Sequence, residues 1–234
     1  MSNLRTVHGR SLTYSLLDSL GRSIVVGDFD NRGFPTEAEL SKHHGVSRSV
    51  TREAVKMLTT KGLLSARPRQ GTVIEPSSSW SLFDSDVLRW LLDRKFSVEL
   101  LKQFNQLRFA IEPEAAALAA RFASESQLSA IRVSLDRMQL AEKARDDVLD
   151  ADIAFHVAIL NASGNPFYAQ FRDVVATALR SSIRFTNRIK GHSASVDDHA
   201  AVSIAIMKRN PLRAKTAMTK IIGDVLELID TAKK

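Results

Sequence analysis

The sequence predicts a mainly α-helical protein in two parts: an N-terminal unit of three helices closed by a β-hairpin, and an all-α antiparallel bundle. Three observations predict it. Apolar residues recur at three- and four-residue spacing along most of the chain, the period of helices buried on one face. The stretch 62–74 departs from this, with two β-favouring pieces flanking a Pro/Gly turn. Pro76 and three serines, Ser77 to Ser79, then separate that hairpin from a run of amphipathic helices with short connections.

The first helix is expected over 11–26, where Leu12, Leu16, Leu17, Leu20 and Ile24 share a face and Gly27 supplies a stop. After the turn-rich 28–35, Thr36-Glu37-Ala38-Glu39 has the form of a capping box, in which Thr36 caps the N–H of Glu39 and the Glu39 carboxylate returns the bond. This second helix is short and ends near His44-Gly45. Ser47 is the N-cap of the third, whose inner stripe is Val50, Ala54, Val55 and Leu58. Two short helices across a glycine turn outline a helix-turn-helix, and the hairpin at 62–74 would be its wing. The expected boundaries are 1–76 for this winged helix-turn-helix, 77–83 for a linker, and 84–234 for the bundle.

Within the bundle, helical patterns run over 84–95, 98–122, 127–145, 147–161, 167–189, 199–208 and 211–232. Ser124-x-x-Gln127 resembles a capping box, and Asn165-Pro166 and Asn210-Pro211 each set a cap before a proline at the first helical position.

Charge narrows the function. The chain of 234 residues carries a net +7, with 33 Lys and Arg against 26 Asp and Glu. Between Lys42 and Arg69 stand Lys42, Arg48, Arg52, Lys56, Lys61, Arg67 and Arg69 against Glu53 alone, so this short segment holds nearly all of the net charge. Such concentration is the footprint of a binder of phosphate backbone. The absence of cysteine excludes disulfides and thiolate-ligated metal. No stretch suggests a secretory signal or a membrane span, and a cytoplasmic protein with no membrane partner is expected.

The residues of the first part resemble the winged helix of the GntR family. The resemblance rests on Phe34-Pro35-Thr36-Glu37-Ala38-Glu39-Leu40, the run Gly45-Val46-Ser47-Arg48-Ser49-Val50-Thr51-Arg52-Glu53-Ala54-Val55, Lys61-Gly62-Leu63-Leu64, and Arg69-Gln70-Gly71-Thr72-Val73. The remainder resembles the FadR-type effector domain, called FCD, through Leu107-Arg108 with Glu112-Pro113, Asp152-x-x-x-His156, Ala162-Ser163-Gly164-Asn165-Pro166 and His199.

This resemblance implies a sequence-specific transcription regulator that acts as a homodimer on operator DNA. The third helix would lie in the major groove with its N-terminal residues at base edges. Thr36, Ser47, Arg48, Ser49, Thr51 and Arg52 are then the DNA-binding candidates, with Arg48 and Arg52 as the main readers, because a guanidinium can bond both O6 and N7 of a guanine. Arg67, Arg69, Gln70, Gly71 and Thr72 would form the contacting wing. Ala38 stands where many members carry an arginine, which removes one contact from the implied set. The plain alternative for any one arginine is a solvated surface charge.

For the effector domain the resemblance implies a small carboxylate ligand. The segment Trp80-x-x-x-Asp84-x-Asp86-Val87-Leu88-x-Trp90-Leu91-Leu92 resembles the start of that domain in a sugar-acid-responsive member, which makes a sugar acid such as D-galactonate the leading case. Arg108, Glu112, Asn165, Arg180 and Arg184 are the effector-binding candidates. Arg108 either clamps the ligand carboxylate in a bidentate grip or forms a structural ion pair with Glu112, four residues on. Asp152 and His156, also four apart, share a helix face and could chelate a divalent ion, zinc or similar, and the resemblance implies His199 as a further ligand. The resembling domains add one more histidine, but its position falls near Ile221 and no histidine follows His199. His192 could stand in, or water and effector oxygens could complete the shell. The alternative function is a metal-dependent enzyme acting on a small acid through Asp152, His156 and His199.

Overall fold

The computed structural model describes residues 2–30, 33–94, 97–190 and 195–231, with side chains except at 2–11, 94 and 184–190. The chain divides into two compact units, Met1–Phe96 and Ser97–Lys234.

The first unit runs α1 (Ser2–Val26), α2 (Glu37–His44), α3 (Arg48–Thr60), β1 (Leu64–Arg67), β2 (Gly71–Ile74) and, after a 3-10 turn at Ser77–Ser79, α4 (Ser85–Arg94). α1 begins well before the expected Ser11. The capping box of α2 forms as the sequence implies: Thr36 Oγ1 accepts from Glu39 N at 3.3 Å, and Thr36 N donates to Glu39 Oε2 at 2.8 Å. Ser47 caps α3 by accepting from Val50 N, also at 3.3 Å. Between the two helices Gly45 takes φ 64°, a left-handed conformation that glycine adopts without steric cost. The strands pair antiparallel from Leu64 opposite Ile74 to Arg67 opposite Gly71.

A common core holds this unit together: Leu16, Leu17, Leu20, Ile24 and Val25 of α1 meet Leu40, Ala54, Val55 and Leu58, then Leu63 and Leu64. Val87 and Trp90 of α4 belong to the same core. This corrects the expected boundary at 76, because α4 closes the first unit rather than opening the second. Trp90 lies so close over Gly21 of α1 that a Cβ there would stand 2.4 Å from the indole ring. The expected linker is docked as well. Lys61 O accepts from Ser81 N at 3.0 Å, Trp80 Nε1 donates to Glu75 O at 2.9 Å, and Ser79 O occupies the space where a Cβ of Gly62 would sit. A serine run reads as flexible only until its backbone finds partners.

The second unit is all helical among the described residues: α5 (Val98–Phe122), α6 (Glu125–Glu142), α7 (Val148–Ala162), α8 (Pro166–Gln170), α9 (Arg172–Lys190), α10 (Val196–Met207) and α11 (Pro211–Thr231). α5 packs against α7, α9, α10 and α11. Its Ala115, Ala116, Ala117, Ala119 and Ala120 are all buried, and such small residues let neighbours approach from several sides. The stretch expected as one helix from Phe167 is two, because the Phe171 N–H turns back to Tyr168 O at 3.1 Å. α10 starts ahead of His199, since Ser195 caps it by accepting from Asp198 N at 3.3 Å.

Candidate functional site

The polar surface of α3 is set by its cap and its buried stripe. With Ala54, Val55 and Leu58 turned inward, Arg48, Ser49 and Arg52 are left exposed. Arg52 keeps 74% of its side chain in solvent and meets Glu37 only across 3.4 Å, so it is free to be drawn to another anion. Ser47 and Thr36 are also exposed, but each hydroxyl serves as a cap. Thr51 differs from its expected role. It is 0% exposed and its hydroxyl donates to Ser47 O at 3.2 Å, so it faces the core and reaches no partner outside.

The hairpin presents Arg67, Arg69, Gln70 and Gly71 to solvent, with Thr72 half-buried. Gly71 has φ 76°, and the turn requires glycine there on backbone grounds alone. Arg69 at the tip also lies in the left-handed region, at φ 64°, where a side chain is strained. Arg67 is paired with Glu75 at 3.2 Å. Lys61 leaves the basic segment altogether, since its ammonium is 2.7 Å from Asp84 and 2.9 Å from Asp86 and largely buried. Burial would lower its pKa, but the two carboxylates outweigh that and raise it.

In the second unit, α5, α7 and α10 bring together Arg108, Glu112, Asp152, His156 and His199, none more than 3% exposed. Arg108 Nε donates to Glu112 Oε1 at 2.6 Å and its Nη1 to Asn105 Oδ1 at 3.0 Å. Nη2 is 3.4 Å from both ring nitrogens of His156, the equal spacing of a group over the ring face rather than in its plane. The guanidinium is thus engaged on several sides by its own chain, and the ion pair with Glu112 is the state observed. Asn105 joins as an unforeseen member, with Nδ2 donating to Ser182 Oγ of α9 at 3.2 Å. Its three-residue spacing from Arg108 on one helix was the available signal.

Two hydrogen bonds fix the imidazoles. His156 Nδ1 lies 2.5 Å from Glu112 Oε2, and His199 Nδ1 lies 2.7 Å from the carbonyl of Ser195. A carbonyl only accepts, so His199 Nδ1 carries the hydrogen, and the Glu112 carboxylate assigns the same tautomer to His156. Both Nε2 atoms then face Asp152 Oδ1, at 3.2 Å from His156 and 3.4 Å from His199. These distances are within ion-pair range, yet the alignment of a hydrogen bond is missing, and Asp152 Oδ1 and His199 Nε2 are buried without a hydrogen-bond partner. Three ligand atoms of Asp152, His156 and His199 lie within 4.8 Å of one another. Lone pairs converging on one point, with both outer N–H groups satisfied, is the arrangement that suits a cation.

The charges of this cluster shift one another's titration. Burial would raise the Glu112 pKa, but Arg108 and then His156 hold it down at about 2. Burial would likewise raise Asp152, and the two histidines keep it well below the usual carboxylate range. Burial would depress His156, and the Glu112 charge reverses this to raise it.

The other effector candidates stand elsewhere. Arg180 is exposed and paired with Asp150 at 2.9 Å. Asn165 caps α8, its Oδ1 accepting from Phe167 N at 2.9 Å, so the Asn-Pro pair serves the helix start. The Arg184 side chain and His192 lie outside the described residues. Ile221 is buried on α11 and offers no donor atom.

Residues 19–74 match the gntR family of bacterial regulatory proteins, and residues 103–224 match the FCD domain. The chain is 30% identical over 202 residues to an uncharacterised HTH-type transcriptional regulator of Escherichia coli strain K12, YieP, covering 85% of this chain and 87% of that one. It is 28% identical over 216 residues to the galactonate operon transcriptional repressor of the same organism, covering 90% and 93%. Among solved structures the Streptococcus agalactiae GntR shares the fold, with TM-score 0.50, 23% identity, and coverage of 90% and 99%.

Proposed function

The chain belongs to the gntR family of bacterial regulatory proteins and carries its FCD domain, and on that premise we propose that it represses genes through an operator grip set by a small carboxylate. The family and the relatives are transcription regulators and not enzymes, which sets aside the enzymatic alternative for Asp152, His156 and His199. No helix among the described residues is long and apolar enough to cross a membrane.

The observation that carries the ligand-sensing part is the buried centre itself. Polar atoms left unsatisfied in a core cost on the order of 1–3 kcal/mol each. Asp152 Oδ1 and His199 Nε2 are such atoms, and a bound cation and ligand would relieve them. Asp152, His156 and His199 would hold a divalent ion, zinc or another that favours imidazole and carboxylate. Such an ion supplies concentrated positive charge to attract a carboxylate. With Ile221 in place of a further histidine, the described residues offer three protein ligands. The kinship with a galactonate operon repressor favours a sugar acid such as D-galactonate as the effector.

On the DNA side, two subunits would each place α3 in a major groove, with Arg48 and Arg52 at base edges and Arg67, Arg69 and Gln70 along the backbone. Effector binding would lower operator affinity through a coupling of about 1–3 kcal/mol. The test is binding of the purified protein to DNA from upstream of its own gene, against scrambled DNA, with and without D-galactonate and related sugar acids. Specific binding released by one acid is the expected result. Specific binding indifferent to every acid would reject the effector, and no preference over scrambled DNA would reject the regulator.

A further inference from the structure

Resting on the cation reading above, we propose that Glu112 is a positioning residue for the centre: it fixes His156 in the one tautomer and orientation that present Nε2 to the ion. Both of its oxygens are engaged: Oε1 accepts from Arg108 Nε at 2.6 Å, and Oε2 takes His156 Nδ1 at 2.5 Å together with a longer bond from Arg108 Nη2 at 3.3 Å. Arg108 is in turn anchored by Asn105 at 3.0 Å, and Asn105 by Ser182 Oγ at 3.2 Å and Leu101 O at 2.8 Å. The buried string from Ser182 to His156 therefore ends on a ligand nitrogen.

A purely structural Arg108–Glu112 pair would need no third partner, and buried ion pairs are weak contributors to stability by themselves. Here the carboxylate is also spent on an imidazole whose other nitrogen faces Asp152 Oδ1 at 3.2 Å. The remaining histidine obtains the same service from a backbone carbonyl, Ser195 O at 2.7 Å from its Nδ1. One imidazole is oriented by a charge and the other by a dipole. Losing such an orienting partner costs roughly 10–100-fold in metal affinity. Glu112 is not among the three residues whose ligand atoms converge, so it would tune a ligand without becoming one.

The experiment titrates the full-length metal-stripped protein with Zn2+ by calorimetry and with Co2+ by its visible absorption. It compares the wild type, Glu112→Gln, the charge-neutral pair Arg108→Met with Glu112→Gln, and His156→Ala. The paired variant removes both buried charges, so it keeps the test valid if Glu112→Gln alone leaves Arg108 unmatched and fails to fold. A glutamine can turn its amide N–H toward His156 Nδ1 and force the hydrogen onto Nε2. We expect both Gln variants to bind Zn2+ about 10–100-fold more weakly and to shift the Co2+ spectrum. A folded paired variant with wild-type affinity and spectrum would overturn the positioning role and leave the cation reading intact. If the wild type itself binds neither ion, and His156→Ala matches it, the cation reading fails and this inference falls with it.

Discussion

Trp90 donates its indole N–H to Asp18 Oδ1 over 2.8 Å, joining α4 to α1 inside the first unit. The same carboxylate receives Arg89 at 2.8 Å and Arg22 at 2.9 Å. One acidic residue thereby ties the end of the DNA-reading unit to its first helix.

A pH dependence follows from this carboxylate. Burial would raise its pKa, but the bonds from Trp90, Arg89 and Arg22 bring it from 3.8 to about 2. A depressed folded pKa stabilises above the unfolded value, and the contribution is lost as pH falls from 3.8 through about 2. The Asp18 side chain is 39% exposed, so solvent screening keeps the effect under about 1 kcal/mol. Asp18→Asn is expected to be less stable than the wild type at neutral pH, with the difference shrinking toward pH 2. Denaturant melts followed by tryptophan fluorescence at several pH values check this; a constant difference would contradict it.

A second prediction concerns where the first unit can be cut. A fragment ending at residue 76 loses Val87 and Trp90 and bares the α1 surface around Gly21. Removing a buried aromatic costs about 3–5 kcal/mol, a large share of the stability of a small domain. A fragment ending at residue 94 is expected to unfold cooperatively, and the one ending at 76 to melt at much lower temperature or not fold. Calorimetry of the two compares them directly, and equal midpoints would show that α4 is dispensable.

On α3, the proposed readers stand apart from the buried scaffold. Arg48→Ala and Arg52→Ala are each expected to cost about 1–3 kcal/mol of operator binding and to relax preference at one base position. Thr51→Val removes a buried hydroxyl bonded to Ser47 O, so it is expected to lower stability by about 1 kcal/mol and leave sequence preference unchanged. Binding to a panel of single-base operator variants, beside thermal melts, distinguishes the two classes. A changed base preference in Thr51→Val would return it to the DNA-contacting set.

What was legible in the sequence is what local chemistry decides. Thr36 with Glu39, Ser47, and Ser124 with Gln127 act within one helical turn, and all three caps form. The pairing of Arg108 with Glu112 and of Asp152 with His156 also follows from four-residue spacing. The allegiance of α4 was hidden, because it depends on Trp90 seating over Gly21 and on Lys61 meeting Asp84 and Asp86. Thr51 was misassigned because a polar residue beside two arginines reads as exposed, although its spacing from Ala54, Val55 and Leu58 puts it on the buried stripe. Glu112 as partner of His156 crosses between two helices, and no single-helix pattern encodes such a contact.

Arg69 carries the last prediction, in which stability and function are expected to move in opposite directions. It holds φ 64° at the tip of the hairpin with its side chain exposed, and a non-glycine residue in that region costs of order 1–3 kcal/mol. A cation at the wing tip is placed to meet phosphate. Arg69→Gly relieves the strain and removes the cation, although the added freedom of the unfolded chain offsets part of the gain. The variant is expected to be equal or higher in thermal stability, to bind operator and scrambled DNA more weakly by a similar factor, and to lower the salt slope by about 1. Arg69→Lys keeps charge and strain together and is expected to retain most of the binding. Unchanged affinity and slope in Arg69→Gly would mean that the wing tip stays clear of the backbone and that the strained φ serves only the turn.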